Sequence, residues 1–421
     1  MAVPMKVAVL RLLWAPGPPR ADEEPHLQWP DELFHELFQA SNGWSLRDYW
    51  RRASFGLLDL EFDLSIAHWW RFGDHTHAEF MGVDHERSKI LAAARQVVED
   101  NGVSLSPYDA VIAFVHAPPC DAGAVGGGAV FDQGGALDFY QHELGHVLGF
   151  QHSFGPFIPP PNPYGSLYND PYCVMGYTGS QAHTIPVPAQ FASVPIINPS
   201  FWSSDRRPAA ASLYRRFTGT PDFVTSGWVT HADPGARLWV AALSEAENTT
   251  PVLAVLPLPA SQNQLTIEYR TQTGDDLGVT PGVVVHSLGA HDVGAGRGEV
   301  NPAWFETFIP AVVGASATVL GVHLEVMTVS TGSPGGVEIQ TGLAQARSHT
   351  FNKSDDHRLS EAPLPPADAP VLQAPIGTLT NERVSRRLWG AEAQSRVLTQ
   401  SPPSGQGSGR RASIAESGAT P

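Results

Sequence analysis

One short stretch limits this chain more than any other. Residues 141–152 read QHELGHVLGFQH, which sets His142, Glu143, His146, Gly149 and His152 in the pattern H-E-x-x-H-x-x-G-x-x-H. At this composition, five fixed residues match by chance with odds of about one in ten thousand. Residues four apart on an α-helix stand one turn apart on one face, so a helix over 137–148 aims His142 and His146 at one point. Gly149 then ends the helix, because glycine takes φ > 0 at no steric cost. The chain turns there and brings His152 back as a third ligand. Three neutral imidazoles with one open position are the donor set of a catalytic zinc ion, not of a closed structural one. Zinc lowers the pKa of a bound water to about 7. Glu143, beside the first ligand, is placed to take a proton from that water and pass it to a leaving amine.

The flanking sequence predicts layers of helix and strand around that helix. Residues 5–13 read as a strand, 31–40 and 45–54 as helices with Ser45 as an N-cap, and 57–64 as a strand. Residues 84–99 form an amphipathic helix, 110–115 a buried strand and 126–132 a Gly-rich strand. The order predicts an α/β (α+β) domain over 1–218, with a twisted, mostly parallel sheet and an active-site helix. Short strands at 237–242, 252–256, 264–270, 282–286, 317–322 and 337–340, separated by turn signals, predict an all-β, sandwich-like domain over 219–345. Residues 346–421 lose aliphatic periodicity and read as a low-complexity, disordered tail.

The zinc motif resembles that of the metzincin clan of zinc endopeptidases, and the chain is most similar in character to gametolysin-like and reprolysin-like bacterial peptidases. A second element supports the resemblance: residues 173–177 read CVMGY. Met175 matches the methionine of the tight turn beneath the metal in that clan. Tyr177 stands where some members carry a tyrosine that stabilises the tetrahedral intermediate, and a plain packing role is an equal reading. The motif match covers 126–177, with weaker likeness over 45–290. The resemblance implies a metalloprotease acting on extended protein or peptide substrates, which pair as an added strand along the edge strand 126–132. It also implies secretion, although 5–14 is interrupted by Arg11 and carries no signal-peptide cleavage site. No inhibitory propeptide or cysteine-switch sequence is visible.

Composition removes other classes. Lys plus Arg number 26 against 42 Asp plus Glu, a net charge of −16 that argues against nucleic-acid binding. No apolar run approaches the ~20 residues of a membrane span. Two cysteines, Cys120 and Cys173, form at most one bridge, and sequence alone does not say whether they do. Calcium is left open, with no loop signature to support it. Asp74, His75 and His77 show no ligand spacing and read as a solvated loop. Glycines at 294–298 read as a turn. The rival function is a catalytically silent, metzincin-like binding or adhesion protein acting through the β-domain. Cleavage specificity and oligomeric state are not legible.

Overall fold

The computed structural model describes residues 4–14, 29–66, 69–71, 86–115, 122–156, 168–176, 181–194, 196, 198–220, 223, 226–245, 250–258, 261–291, 299–332 and 335–344. Cys120, Tyr177, the 74–77 loop, the 294–298 glycines and the 346–421 tail lie outside them. Among the described residues the chain is mixed α/β, with five α-helices and open sheets that contain parallel strands.

The first sheet holds β1 (Pro4–Leu13), β2 (Asp59–Asp63), β3 (Trp69–Arg71), β4 (Ala110–Val115), β5 (Gly123–Val125) and β6 (Gly128–Asp132). Its order is β2-β1-β4-β6-β5, with β3 also on β1. Every pairing is parallel except β5 on β6. The covering helices are α1 (Asp31–Phe38), α2 (Leu46–Ala53), α3 (Arg87–Asp100) and α4 (Leu137–Val147). Alternate residues of a strand face opposite sides, which explains the apolar run of β1. Val7 and Val9 enter a core with Leu33 and Phe34 of α1, Tyr49 and Trp50 of α2, and Tyr140 and Leu144 of α4. Ala8, Leu10 and Leu12 pack on the other face with Ile90, Leu91, Ala94 and Val98 of α3. Ser45 caps α2 as expected, accepting the Asp48 N–H at 3.1 Å.

One expectation needs correction here. Residues 128–130 of the Gly-rich strand, now β6, are not an open edge, because β4 flanks them on one side and β5 on the other. The outer strand is the short β5, which the sequence pattern passed over.

After α4 come β7 (Ser153–Phe154), β8 (His183–Thr184), β9 (Ser203–Ser204) and α5 (Ala210–Phe217). The strand-rich half then runs through β10 (Val229–His231), β11 (Arg237–Ala241), β12 (Leu253–Pro257), β13 (Gln264–Arg270), β14 (Gly282–Leu288), β15 (Ala303–Pro310), β16 (Ser316–Val319), β17 (Val322–Ser330) and β18 (Gly336–Leu343). One sheet has the order β10-β12-β13-β14-β15-β7, and an antiparallel one has β11-β18-β17-β16. Side chains of both form one core, including Val240, Leu256, Ile267, Val285, Leu324 and Ile339. The strand expected at 317–322 is instead a hairpin corner. Leu320 (φ 46°) and Gly321 (φ 83°) form a two-residue turn closed by Val319 opposite Val322.

The two halves interlock. β7 follows directly from the third histidine and pairs with β15. Trp228, Ala241, Leu243 and Val252 share the core of α1, α2 and α4. Buried charges cross the same seam. Arg270 bonds Glu268 at 2.9 Å, Asp276 at 2.8 Å and the Tyr172 carbonyl at 2.5 Å. His286 Nε2 meets Asp170 Oδ2 at 2.9 Å, and the same oxygen accepts from Ser153 Oγ at 2.5 Å.

Burial alone would lower the His286 pKa, but Asp170 beside it more than offsets this and holds it above 6.5. Burial likewise would raise Asp170, yet His286, Ser153 and the Tyr172 amide hold it below 3.8. The Asp170 contribution to stability is therefore present above pH 3.8 and lost as pH falls through its lowered folded value. The His286 contribution is full below pH 6.5 and lost as pH rises through its raised folded value. His286→Gln should flatten the alkaline limb of a Tm–pH curve and, by stranding a buried carboxylate, cost about 3–5 kcal/mol. An alkaline limb of unchanged slope would count against the pair.

Candidate metal centre

α4 lies almost wholly buried under the first sheet. Its Tyr140 ring sits 4.7 Å from Phe131 of β6, so the helix is fixed against the strand that leads into it. The helix ends as the sequence predicts. Gly149 has φ 85°, its N–H bonds the His146 carbonyl at 3.0 Å, and the Phe150 N–H bonds the Gly145 carbonyl at 2.9 Å. This paired closure needs a left-handed residue at 149. The chain reverses, and His152 lands beside the other two histidines.

His142, His146 and His152 each offer a ring nitrogen, and these three atoms lie within 4.8 Å of one another. The Nδ1 of His142 is 2.6 Å from the Val174 carbonyl, and that of His146 is 3.1 Å from the Phe150 carbonyl. The Nδ1 of His152 is 2.5 Å from Glu299 Oε1. A carbonyl has no proton to give, so Nδ1 of His142 and of His146 must carry one, and in the neutral ring Nε2 then holds the lone pair. Burial pushes His142 down to about 3, which holds it neutral. The Nε2 atoms of His142 and His146 face each other at 3.1 Å. In the neutral tautomers two lone pairs face each other there, an arrangement that a cation between them would relieve. The donor set fits a zinc ion.

Glu143 is buried and accepts the Ala124 N–H of β5 at 2.8 Å through Oε2. Its carboxylate is thereby pinned between the helix and the outer strand of the sheet. The Met175 turn lies below. Gly176 N–H closes it on the Cys173 carbonyl at 2.9 Å, Val174 supplies the acceptor for His142, and the Met175 carbonyl accepts from Ser153 N–H at 2.9 Å. Met175 is fully buried, and a Cβ on Gly145 would overlap its Sδ and the Trp50 ring. Gly145 thus lets the helix approach the turn closely. The expected site residues His142, Glu143, His146, Gly149, His152 and Met175 all gather here, while Tyr177 lies outside the described residues. Cys173 is a free, buried thiol, and its sequence-proposed partner Cys120 lies outside the described residues. Burial pushes this thiol up to about 11, and its Sγ accepts the Ala209 N–H at 3.1 Å.

Sequence reasoning missed Glu299 and Tyr168. The Tyr168 ring lies against that of His152, with centroids 4.1 Å apart. Glu299 is 147 residues away in sequence and belongs to no recognisable motif. Compared with known proteins, the chain matches no protein-family model and no curated protein.

The close approach at Gly145 makes a double-mutant test. Gly145→Ala should destabilise by about 1–3 kcal/mol through overpacking, and Met175→Ala by about 2–5 kcal/mol through a cavity. Urea unfolding of the double variant should show less than the sum, because each change relieves the other. Additive losses would mean that the two residues are not in contact.

Proposed function

We propose that the chain is a zinc-dependent endopeptidase that hydrolyses peptide bonds of extended polypeptides. The observation that carries this reading is the pair of Nε2 atoms 3.1 Å apart, joined by a third imidazole and flanked by Glu143. His142, His146 and His152 would hold the ion. A zinc ion there supplies a Lewis acid that acidifies water and polarises a carbonyl oxygen. Glu143 does the proton work: its carboxylate accepts a proton from the attacking water and delivers it to the departing amine nitrogen. The Ala124 N–H fixes one carboxylate oxygen, so the group is oriented before substrate arrives. Among the described residues, the other side of β5 from β6 is the sheet's outer edge. The Ala124 carbonyl points to the same side as its N–H and can pair with an extended peptide.

The reading extends to the fold: a metzincin-like catalytic unit over 1–218, and a β-sandwich over 219–345 made by the two sheets that share a core. In both cases the support is architectural, and fold does not fix function.

The test is cleavage of a diverse peptide library, read by mass spectrometry. Glu143→Ala should lower kcat/KM by about 10²- to 10⁴-fold or more while bound zinc stays at one per chain. A chelator should abolish the same cuts, and added zinc should restore them. Cuts that survive both treatments would refute the assignment. A zinc-loaded wild type that cuts nothing would favour the silent binding protein.

A further inference from the structure

The third histidine is held from the strand-rich half. Glu299 Oε1 lies 2.5 Å from His152 Nδ1 and accepts the His152 backbone N–H at 3.2 Å. One oxygen thus fixes both the ring and the backbone of the same residue. The segment that carries it is tied down in turn. Val300 N–H donates to Gln151 Oε1 at 3.1 Å, and Arg215 Nε of α5 donates to the Val300 carbonyl at 2.8 Å. Just beyond, Ala303 and Trp304 pair in parallel with Ser153 and Phe154. The Glu299 side chain is only 9% exposed, which concentrates its charge on the imidazole.

We propose that Glu299 is a positioning residue that sets the tautomer and orientation of His152 for metal binding, which makes the strand-rich half a working part of the metal centre. This rests on the metal-centre reading above. A carboxylate on Nδ1 keeps the proton there and leaves the Nε2 lone pair for the cation, and it raises the basicity of the ligand. The two alternatives for His152, ring rotation or the other tautomer, both take the lone pair out of the site. Neither His142 nor His146 needs such help, because backbone carbonyls of their own neighbourhood hold them.

The experiment is titration of the metal-free full chain with cobalt(II) against a competing chelator, followed by absorption, for wild type, Glu299→Ala, Glu299→Gln and Gln151→Ala. Glu299→Ala should bind cobalt about 10- to 100-fold more weakly. Glu299→Gln should lose less, because its amide oxygen still accepts from Nδ1. Gln151→Ala removes a stitch between the same two segments but leaves the ring contact, so its affinity should stay near wild type. The rise in Tm on adding cobalt should shrink in the same order, whereas a merely structural role would lower Tm with and without metal alike. Should Glu299→Ala not fold, weakened binding in Glu299→Gln relative to Gln151→Ala decides. Wild-type affinity in the Glu299 variants overturns the proposal and leaves the metal centre standing. A wild type that takes up no cobalt overturns both.

Discussion

Three contacts between imidazole nitrogens and oxygens organise this molecule. The Nδ1 atoms of His142, His146 and His152 each lie on an oxygen, and the three oxygens come from separate places: the Met175 turn, the end of α4 and the strand-rich half. Each oxygen holds a proton on Nδ1, so that in the neutral ring the Nε2 lone pair is the one turned inward. The three ring nitrogens converge to within 4.8 Å of one another, and the architecture holds them there. Much of the fold serves that end. The sheet carries α4, Gly149 lets the chain reverse, and β15 takes up the strand that follows His152.

The same logic explains the buried charges at the seam. Asp170 lies in the segment that leads into the Met175 turn, and it is fastened to Ser153 and His286. Arg206 donates to the Cys173 carbonyl at 2.7 Å and to the Asp170 carbonyl at 3.2 Å, which holds the turn from the other side. Arg270 reaches the Tyr172 carbonyl from β13. Residues 170–175 therefore hang on hydrogen bonds from several distant elements. A buried charge kept in this way adds little net stability, but leaving one unpaired is expensive, so the arrangement has few alternatives.

How much of this was legible in the sequence follows from the range of each interaction. The three histidines sit within one helix and its reversal, so local rules of periodicity and left-handed glycine placed His142, His146, Gly149 and His152. Ser45 was legible for the same reason, because its cap bond reaches only to Asp48. Three-residue β5 carries too few side chains for a periodic signal, so the outer strand was misplaced onto β6. The turn at Leu320 and Gly321 escaped because leucine at φ 46° is an unusual turn residue. Glu299 was invisible, since a contact across 147 residues leaves no spacing to read. The seam between 1–218 and 219–345 escaped likewise, being made of long-range pairs such as Arg52 with Asp275 at 2.6 Å.

The most direct measurement is zinc-edge X-ray absorption on the full chain loaded with one equivalent of zinc. The account predicts a first shell containing three histidine nitrogens, reduced to two in His152→Ala. A shell of sulfur, or of water and carboxylate oxygens alone, or one unchanged by that substitution, would contradict it.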